Sequence, residues 1–214
     1  MKILIISGGR FEEKTAKEYV SEHSFDYTIA VDGGAAYAKI LGITPDLLLG
    51  DFDTLERELF FEYQKKGVRI DTFPPEKDYT DTHLALTMAL EKNPDSITIL
   101  AGTGSRMDHT LANIGLLTLS VEQGVPTEII DNNNRIRMIK DSLILKKKEV
   151  WGSYISLIPY TEKVTGITLT GFQYPLKNEE LRAGVSQGIS NELVEEQGKI
   201  SMKQGRLLVI ESRD

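Results

Sequence analysis

The chain has 214 residues, of which 40% are hydrophobic and 27% charged, and its formal net charge is −7. These proportions are ordinary for a globular protein and allow one large domain or two small ones. The acidic excess argues against nucleic-acid binding, which needs a basic surface. Cysteine is absent, which excludes disulfides and thiolate chemistry. No apolar run is long enough for a membrane span or signal peptide, so we expect a cytoplasmic protein without a membrane partner.

Short apolar runs in the first 140 residues predict strands that are buried on both faces. They alternate with stretches of helical periodicity, so we expect an α/β fold with a mostly parallel sheet and helices on both faces. The predicted strands are Ile3–Ile6, Tyr27–Val31, Leu47–Leu49, Val68–Phe73, Ile97–Ala101 and Thr127–Ile130. The predicted helices are Ala35–Leu41, Glu56–Lys66, Thr80–Leu90 and Leu111–Val121.

The pattern changes near residue 140, where polar residues cluster between Lys140 and Val150. Short strand-like pieces then follow one another, which is typical of a separate all-β domain such as a small sandwich. We therefore expect an α/β domain over residues 1–140 and a β-sandwich domain over residues 141–214.

Two local features are predicted inside the second domain. The segment Asn178–Ala183 is interpreted as a single helical turn. The strand-like segments Lys199–Lys203 and Leu207–Glu211 are separated by Gln204-Gly205, which predicts a β-hairpin.

Acidic side chains follow several of the predicted strands in the first domain. Ligands of open α/β sheets bind beyond the carboxyl ends of the strands, and carboxylates gathered there repel one another unless a cation lies between them. This position predicts a metal and phosphate site. The segments concerned begin at Asp32, Asp51, Asp78 and Arg106, with a weaker one at Asp131.

The pair Asp51 and Asp53 follows the apolar run that ends in Gly50. If the chain stays extended, residues two apart point the same way, so both carboxylates would address one metal ion while Phe52 packs on the opposite side. Gly50 would allow a close backbone approach or an unusual turn. The alternative is that Asp53 or Thr54 only caps a helix.

The segment Lys77–Asp81 precedes an amphipathic helix. Asp78 or Thr80 is suited to cap that helix, and Asp81 falls in its first turn, where acidic residues are favoured in any case. A helix N-terminus also attracts phosphate. Both interpretations are compatible if Asp78 caps the helix and Asp81 reaches a metal ion.

The loop from Gly102 to His109 links a predicted strand to a helix. Small residues such as Gly104 allow phosphates to approach the backbone, and Arg106 can bind a phosphate bidentately. His109 is a candidate phosphate neighbour. The spacing matches neither the dinucleotide-binding nor the Walker motif.

Asp32 closes the second predicted strand and is followed by Gly33 and Gly34. The simplest interpretation is a tight turn with an N-capping aspartate. Alternatively the glycines admit a nucleotide, and Asp32 accepts a hydrogen bond from a ribose hydroxyl or an amine.

Taken together and in order, these segments resemble the thiamine pyrophosphokinase family, and the resemblance spans nearly the whole chain. Thr54 and Ser105 depart from the family's usual serine and glycine, and neither is a charged position. The matching segments are Asp32-Gly33-Gly34, Pro45-Asp46, Gly50–Thr54, Lys77–Asp81, Gly102, Arg106–His109, Asn113 and Ser190-Asn191.

The resemblance implies transfer of a pyrophosphoryl group from ATP, as co-substrate, to the hydroxyethyl group of thiamine, with Mg²⁺ as cofactor. It implies Asp51, Asp53 and Asp81 as metal ligands, and Asp81, Arg106 and Asp108 as catalytic residues. The residues that it implies around the nucleotide and its phosphates are Asp32, Gly33, Asp78, Thr80, Gly104, Arg106 and His109.

The resemblance also implies a homodimer whose active site is shared between subunits. The thiamine site would lie between the α/β domain of one subunit and the β-sandwich of the other. Tyr174 would stack on the vitamin, and Ser190 and Asn191 would line its pyrimidine pocket. Ordinary packing of Tyr174 within the sandwich is the alternative.

Two other functions compete with this one. A metal-dependent phosphatase of the haloacid-dehalogenase type would use Asp51 after an apolar strand, but that signature belongs on the first strand, which here ends in Ser7-Gly8-Gly9. The other is a nucleotide-binding sensor without catalysis.

Overall fold

A computed structural model describes residues 1–52, 55–73 and 78–214 of the chain. The chain divides into two compact units, Met1–Asn132 and Asn133–Asp214. The boundary expected from the sequence falls between residues 140 and 141. Among the described residues, no helix combines the length and apolar character needed to cross a bilayer.

The first unit alternates strands and helices. Its strands are β1 (Lys2–Ile6), β2 (Tyr27–Val31), β3 (Leu47–Gly50), β4 (Arg69–Thr72), β5 (Ser96–Leu100) and β6 (Thr127–Ile130). Its helices are α1 (Glu13–Glu22), α2 (Gly34–Ile40), α3 (Arg57–Lys65), α4 (Asp81–Leu90) and α5 (Met107–Glu122).

These strands pair in parallel in the order β4-β3-β2-β1-β5-β6, which confirms the predicted parallel sheet. The apolar side chains of β1, such as Ile3 and Ile5, are fully buried, as expected for a strand covered on both faces. The strand order reverses between β1 and β5. Since ligands of open α/β sheets bind at such a reversal, the crevice beyond the carboxyl ends of β1 and β5 is the place to look for a site.

The second unit consists mainly of antiparallel strands, which confirms the predicted all-β domain. The strands are β7 (Asn134–Ile139), β8 (Ser142–Lys146), β9 (Tyr154–Pro159), β10 (Lys163–Thr170), β11 (Leu176–Arg182), β12 (Gln197–Ser201) and β13 (Leu207–Ser212). One group pairs in the order β7-β13-β9, and a four-stranded sheet runs β11-β10-β12-β8. Side chains of both groups, including Leu145, Ile155, Ile200 and Val209, form one hydrophobic core.

Two local predictions in the second unit are wrong. Residues Asn178–Ala183 do not form a helical turn, because most of the segment belongs to β11, which pairs with β10. The proposed hairpin at Gln204-Gly205 is absent, because β12 and β13 belong to different strand groups. Gln204 instead bridges to Thr165 of β10, so the chain crosses from one group to the other at this point.

A fully buried glutamate lies at the pairing of β7 and β13. Glu211 forms an ion pair with Arg137, and Arg135 Nη1 lies 3.7 Å from Glu211 Oε2. The backbone N–H of Trp151 donates to Glu211 Oε2 at 2.8 Å. The guanidinium groups of Arg135 and Arg213 both contact the Trp151 ring, at 5.3 and 4.9 Å from its centroid. Glu211 therefore ties two strands and the Trp151 segment together.

We predict that Glu211→Ala lowers the free energy of unfolding by about 3–5 kcal/mol, because removal of one partner leaves buried positive charge uncompensated. Glu180→Ala is the matched control, since Glu180 pairs with Arg182 at the surface and that pair contributes little. Urea denaturation of both variants measures the difference. Equal midpoints for the two variants would contradict the prediction.

Candidate active site

Three carboxylates from different elements meet at the carboxyl edge of the parallel sheet. Asp32 follows β2, Asp51 follows β3, and Asp81 begins α4. The Asp51 backbone N–H donates to Asp32 Oδ1 at 3.2 Å. The Asp32 carboxyl also forms a side-chain hydrogen bond with Asp81 and feels the charge of Asp51. We call these residues the acidic cluster.

The environment of Asp32 favours its protonated form. The pKa of Asp32 is raised to about 7, first by burial and then by the charge of Asp81, a hydrogen bond to the Asp81 side chain and the charge of Asp51. A hydrogen bond from the Phe52 backbone N–H acts in the opposite direction. A site that holds a proton among carboxylates near neutral pH is one where a cation would relieve the same repulsion.

Gly50 is required by the position of Asp32. A methyl group at residue 50 would lie 1.6 Å from Asp32 Oδ1, and the φ angle of Gly50 is +152°. Glycine at position 50 therefore makes room for the carboxylate of Asp32, which belongs to the site itself.

The segment after Gly50 does not continue as an extended chain. The prediction that Asp51 and Asp53 share one face assumed an extended chain through Phe52. Phe52 has φ +56°, so that condition is not met. The Phe52 ring packs edge-on against Phe60, with centroids 5.4 Å apart. Asp53 and Thr54 lie outside the described residues.

Thr80, rather than Asp78, caps α4. The Thr80 hydroxyl accepts from the His83 N–H at 3.2 Å, and Asp78 is exposed just before it. Thr82, a buried residue in the first turn of α4, places its Oγ1 atom 2.7 Å from Oγ of Ser7, which follows β1. The start of α4, and with it Asp81, is thereby fixed to the central strand.

The loops after β1 and β5 are hydrogen-bonded to each other. The N–H groups of Gly9 and Arg10 donate to the carbonyls of Ala101 and Thr103, at 2.9 and 2.7 Å. A methyl group at Gly9 would lie 2.3 Å from the Thr103 oxygen, so only glycine permits this approach. The loops after β1 and β5 are therefore held together at the point where the strand order reverses.

The loop between β5 and α5 is braced by its own helix. Gly104 donates its N–H to Thr110 Oγ1 at 3.1 Å, and Asn113 Nδ2 donates to the Gly102 carbonyl at 2.7 Å. These contacts fix Gly104, one of the predicted phosphate neighbours. Gly33, another such residue, begins the turn into α2 beside Gly8.

Arg106 and Asp108 form a two-point ion pair at the start of α5. The Arg106 Nη2 and Nε atoms lie 2.6 and 3.3 Å from the two carboxylate oxygens of Asp108. Hydrogen bonding to Arg106, followed by the His109 N–H, lowers the pKa of Asp108 below its ordinary value. Asp108 in this pair is a weak base. Arg106, Asp108 and His109 are all exposed.

The predicted substrate-binding residues of the second unit lie together. Tyr174 N–H donates to Asn191 Oδ1 at 3.1 Å, and Asn191 Nδ2 donates to the Tyr174 carbonyl at 2.8 Å. Ser190 has φ +56° and donates its N–H to Ser156 Oγ at 3.0 Å. Asn191 is buried, while the Tyr174 side chain is 62% exposed. The amide of Asn191 therefore holds the backbone beneath an exposed ring.

Magnesium was predicted at Asp51, Asp53 and Asp81. Within residues 1–52, 55–73 and 78–214, no group of three or more acidic, histidine or cysteine side chains has a geometry that would hold a metal ion. Asp51 and Asp81 both approach Asp32, and their oxygen atoms suit a hard cation. The donor set therefore fits magnesium chemically, and the ion itself stays a prediction.

No role was predicted for the loop Gly8-Gly9-Arg10. A glycine pair directly after a buried strand was the available signal, because close backbone approach is a common reason for such a pair. The partner of that approach is the β5 loop, which is remote in sequence and cannot be identified from the local pattern.

Models of two protein-domain families match the chain. The catalytic domain of thiamin pyrophosphokinase matches residues 18–129, and its vitamin B1 binding domain matches residues 142–207. Thiamine pyrophosphokinase of Bacillus subtilis is 39% identical over 196 residues, covering 92% of this chain and 91% of the relative. Thiamin pyrophosphokinase 1 of Caenorhabditis elegans is 25% identical over 182 residues, and this match covers 80% of this chain and 73% of the relative.

Solved structures agree with these matches. The crystal structure of the Bacillus subtilis enzyme superposes with a TM-score of 0.89 at 37% identity, with both chains fully covered. That of thiamin pyrophosphokinase from Geobacillus thermodenitrificans gives 0.86 at 32% identity, covering 100% of this chain and 98% of the other. Both units and nearly the whole length are thus accounted for, and the chain belongs to the thiamin pyrophosphokinase family.

Proposed function

We propose that this protein transfers the pyrophosphoryl group of ATP to the hydroxyethyl group of thiamine, giving thiamine diphosphate and AMP in the cytoplasm. The observation that carries the proposal is the acidic cluster at the carboxyl edge of the sheet, in a chain whose two parts match the family's catalytic and vitamin-binding domains. The same matches support a kinase over a haloacid-dehalogenase phosphatase or a sensor without catalysis.

In this proposal Asp51 and Asp81, together with Asp53, hold Mg²⁺. The bound ion would neutralise charge on the phosphates of ATP. Asp32 orients Asp51 through its hydrogen bond to the Asp51 N–H. Positioning and charge neutralisation account for most of the rate in phosphoryl transfer, so these fixed carboxylates supply what the reaction needs.

Arg106 is assigned to the phosphates, and Gly104, Thr80 and His109 are assigned to the same ligand. When the guanidinium turns to a phosphate it leaves Asp108, and the carboxylate then becomes a better base. Asp81 or Asp108 accepts the proton of the thiamine hydroxyl. Asp81 is also a proposed metal ligand, and Asp108 pairs with Arg106, the proposed phosphate ligand.

The second unit is assigned to thiamine recognition. Thiamine is cationic, and an exposed aromatic ring such as Tyr174 attracts a cation through its π face. Ser190 would line the pyrimidine pocket. Asn191 contributes by fixing the backbone of Tyr174, since its amide makes two hydrogen bonds there.

The active form is proposed to be a homodimer with an active site shared between subunits. Helix α5 carries no Asp, Glu, Lys or Arg from His109 to Val121, and Met107 and Leu111 are 60% and 61% exposed on it. An uncharged, partly apolar helix surface is suited to contact with a second copy of the chain.

Purified protein incubated with ATP, MgCl₂ and thiamine should yield AMP and thiamine diphosphate in equal amounts. We predict that Asp51→Asn reduces this turnover by about 100-fold or more, since it removes a negative charge from the phosphate-activating site. Asp95→Asn is the control, because Asp95 pairs with the N-terminal amine at the opposite edge of the sheet. Chromatography of the products checks both. Turnover of Asp51→Asn within a few-fold of wild type would end the proposal.

A shared site predicts complementation between two inactive variants. Asp51→Asn damages the α/β unit and Tyr174→Ala damages the β unit, and both change exposed or half-buried side chains. When the two are co-expressed, one site of each mixed dimer is intact, so activity at low thiamine should recover to about one quarter of wild type. Activity no higher than the mean of the separate variants would contradict the shared site.

The pKa of Asp32 predicts how the stability of the metal-free protein depends on pH. The folded value is about 7 against the ordinary 3.8, so between these values the folded state holds a proton that the unfolded chain lacks. The resulting stability is present below pH 4 and is lost as the pH rises through 7.

Asp32→Asn imitates the protonated form and keeps an oxygen for the Asp51 N–H. In EDTA at pH 8 it should raise the free energy of unfolding by roughly 1–3 kcal/mol over wild type, allowing for partial solvent exposure. The gain should shrink toward pH 5, as urea denaturation at several pH values would show. Parallel pH profiles for the two proteins would contradict the assignment.

A further inference from the structure

Arg10 lies at the candidate active site without an assigned role. It follows β1, at the point where the strand order of the sheet reverses. Its backbone N–H donates to the Thr103 carbonyl at 2.7 Å, and a methyl group at Gly104 would lie 3.2 Å from the Arg10 nitrogen. Arg10 is therefore in contact with the loop that carries Arg106.

The loop after β1 also approaches the turn that follows Asp32. A methyl group at Gly33 would lie 3.8 Å from Gly8 Cα, and Gly33 directly follows Asp32. The β1 loop thus lies between the turn that holds Asp32 and the loop that holds Arg106. A ligand extending from the acidic cluster toward Arg106 would pass this loop.

The backbone on both sides of Arg10 is held in place. The ring of Phe11 stacks on Tyr37 of α2, with centroids 4.3 Å apart and planes within 4°. The Tyr37 hydroxyl donates to the Gly9 carbonyl at 3.1 Å. The side chain of Arg10 therefore extends from a fixed base rather than from a loose loop.

The guanidinium of Arg10 is accessible and pre-oriented. Its Nε and Nη2 atoms donate to Glu12 Oε1 at 2.9 and 2.8 Å, and its side chain is 69% exposed. A guanidinium has five N–H donors in a planar fork, so within the described part of the chain the Glu12 contact leaves donors for an anion. Arg106 is held by Asp108 in the same two-residue arrangement.

We propose that Arg10 binds the polyphosphate chain of the nucleotide, as a second cation beside Arg106. The inference rests on the proposed function and adds a phosphate-binding residue to that site. The carboxylates assigned to Mg²⁺ follow β3 and begin α4, whereas Arg10 and Arg106 lie on the loops after β1 and β5. The two cations would therefore bind phosphate oxygens that the metal ion does not neutralise.

Arg69 provides a matched control. Its Nε and Nη2 atoms likewise donate to the carboxylate two residues later, at 3.0 and 2.6 Å from the two oxygens of Asp71, and it is similarly exposed. Arg69 begins β4 and so lies at the amino edge of the sheet, away from the crevice. Any general effect of removing a surface Arg–carboxylate pair appears in Arg69→Gln as well.

The test compares wild type, Arg10→Gln, Arg10→Lys and Arg69→Gln by calorimetric binding of magnesium-loaded non-hydrolysable ATP analogue, inorganic tripolyphosphate and adenosine. Arg10→Gln should weaken both phosphate ligands by about tenfold and leave adenosine unchanged, as expected for loss of one charge-assisted phosphate contact. Arg10→Lys should recover part of the loss, and Arg69→Gln should match wild type. The KM for ATP should rise in Arg10→Gln by a similar factor.

Equal affinity of Arg10→Gln and Arg69→Gln for the phosphate ligands overturns the role of Arg10, and so does an equal loss of adenosine binding. The proposed kinase function is judged separately, by thiamine-dependent AMP formation in wild type. If wild type forms no AMP yet Arg10→Gln binds tripolyphosphate more weakly, the kinase proposal fails and the phosphate contact stands.

Discussion

The acidic cluster depends on where the carboxylate of Asp32 lies. This group fills the space that any side chain at residue 50 would need, and it accepts hydrogen bonds from the backbone of Asp51 and Phe52. The ends of β2 and β3 are thus joined through one side chain. Gathering carboxylates in this way is unfavourable, so buried strands and the Ser7–Thr82 contact must hold them in place.

The strand order explains why the site forms where it does. The chain builds β1 to β4 outward in one direction and then returns to place β5 on the other side of β1. The loops after β1 and β5 therefore lie where the strand order reverses, which is the general location of ligands in such sheets. Here they are also hydrogen-bonded, and Gly9 is the residue that permits their approach. The same pair of strands thus supplies both the expected ligand position and the hydrogen bonds that hold its two loops together.

Much of the fold could be predicted because fully buried parallel strands are apolar runs, whose signal is local. Helix α1 was not predicted, since its sequence is mainly polar and charged and only Thr15, Ala16 and Tyr19 are buried on it. Strand β11 carries mainly charged and polar residues, so its pattern does not separate a strand from a turn. Gln204-Gly205 has the composition of a turn. Long-range contacts decide which strands β12 and β13 pair with, and these contacts place the two in different groups.

The same limit applies to the candidate site. A local pattern indicates which side chains reach an edge of the sheet, and so it identified Asp32, Asp51 and Asp81; it cannot indicate which atoms then touch. Asn191 illustrates the difference, because an amide expected to face a ligand makes its hydrogen bonds to the backbone of Tyr174 and Glu192 instead. A polar residue near a site therefore has two ways to act, by contact or by fixing another residue. Only geometry distinguishes them, and for Asn191 the geometry favours fixing the ring-bearing segment over direct contact.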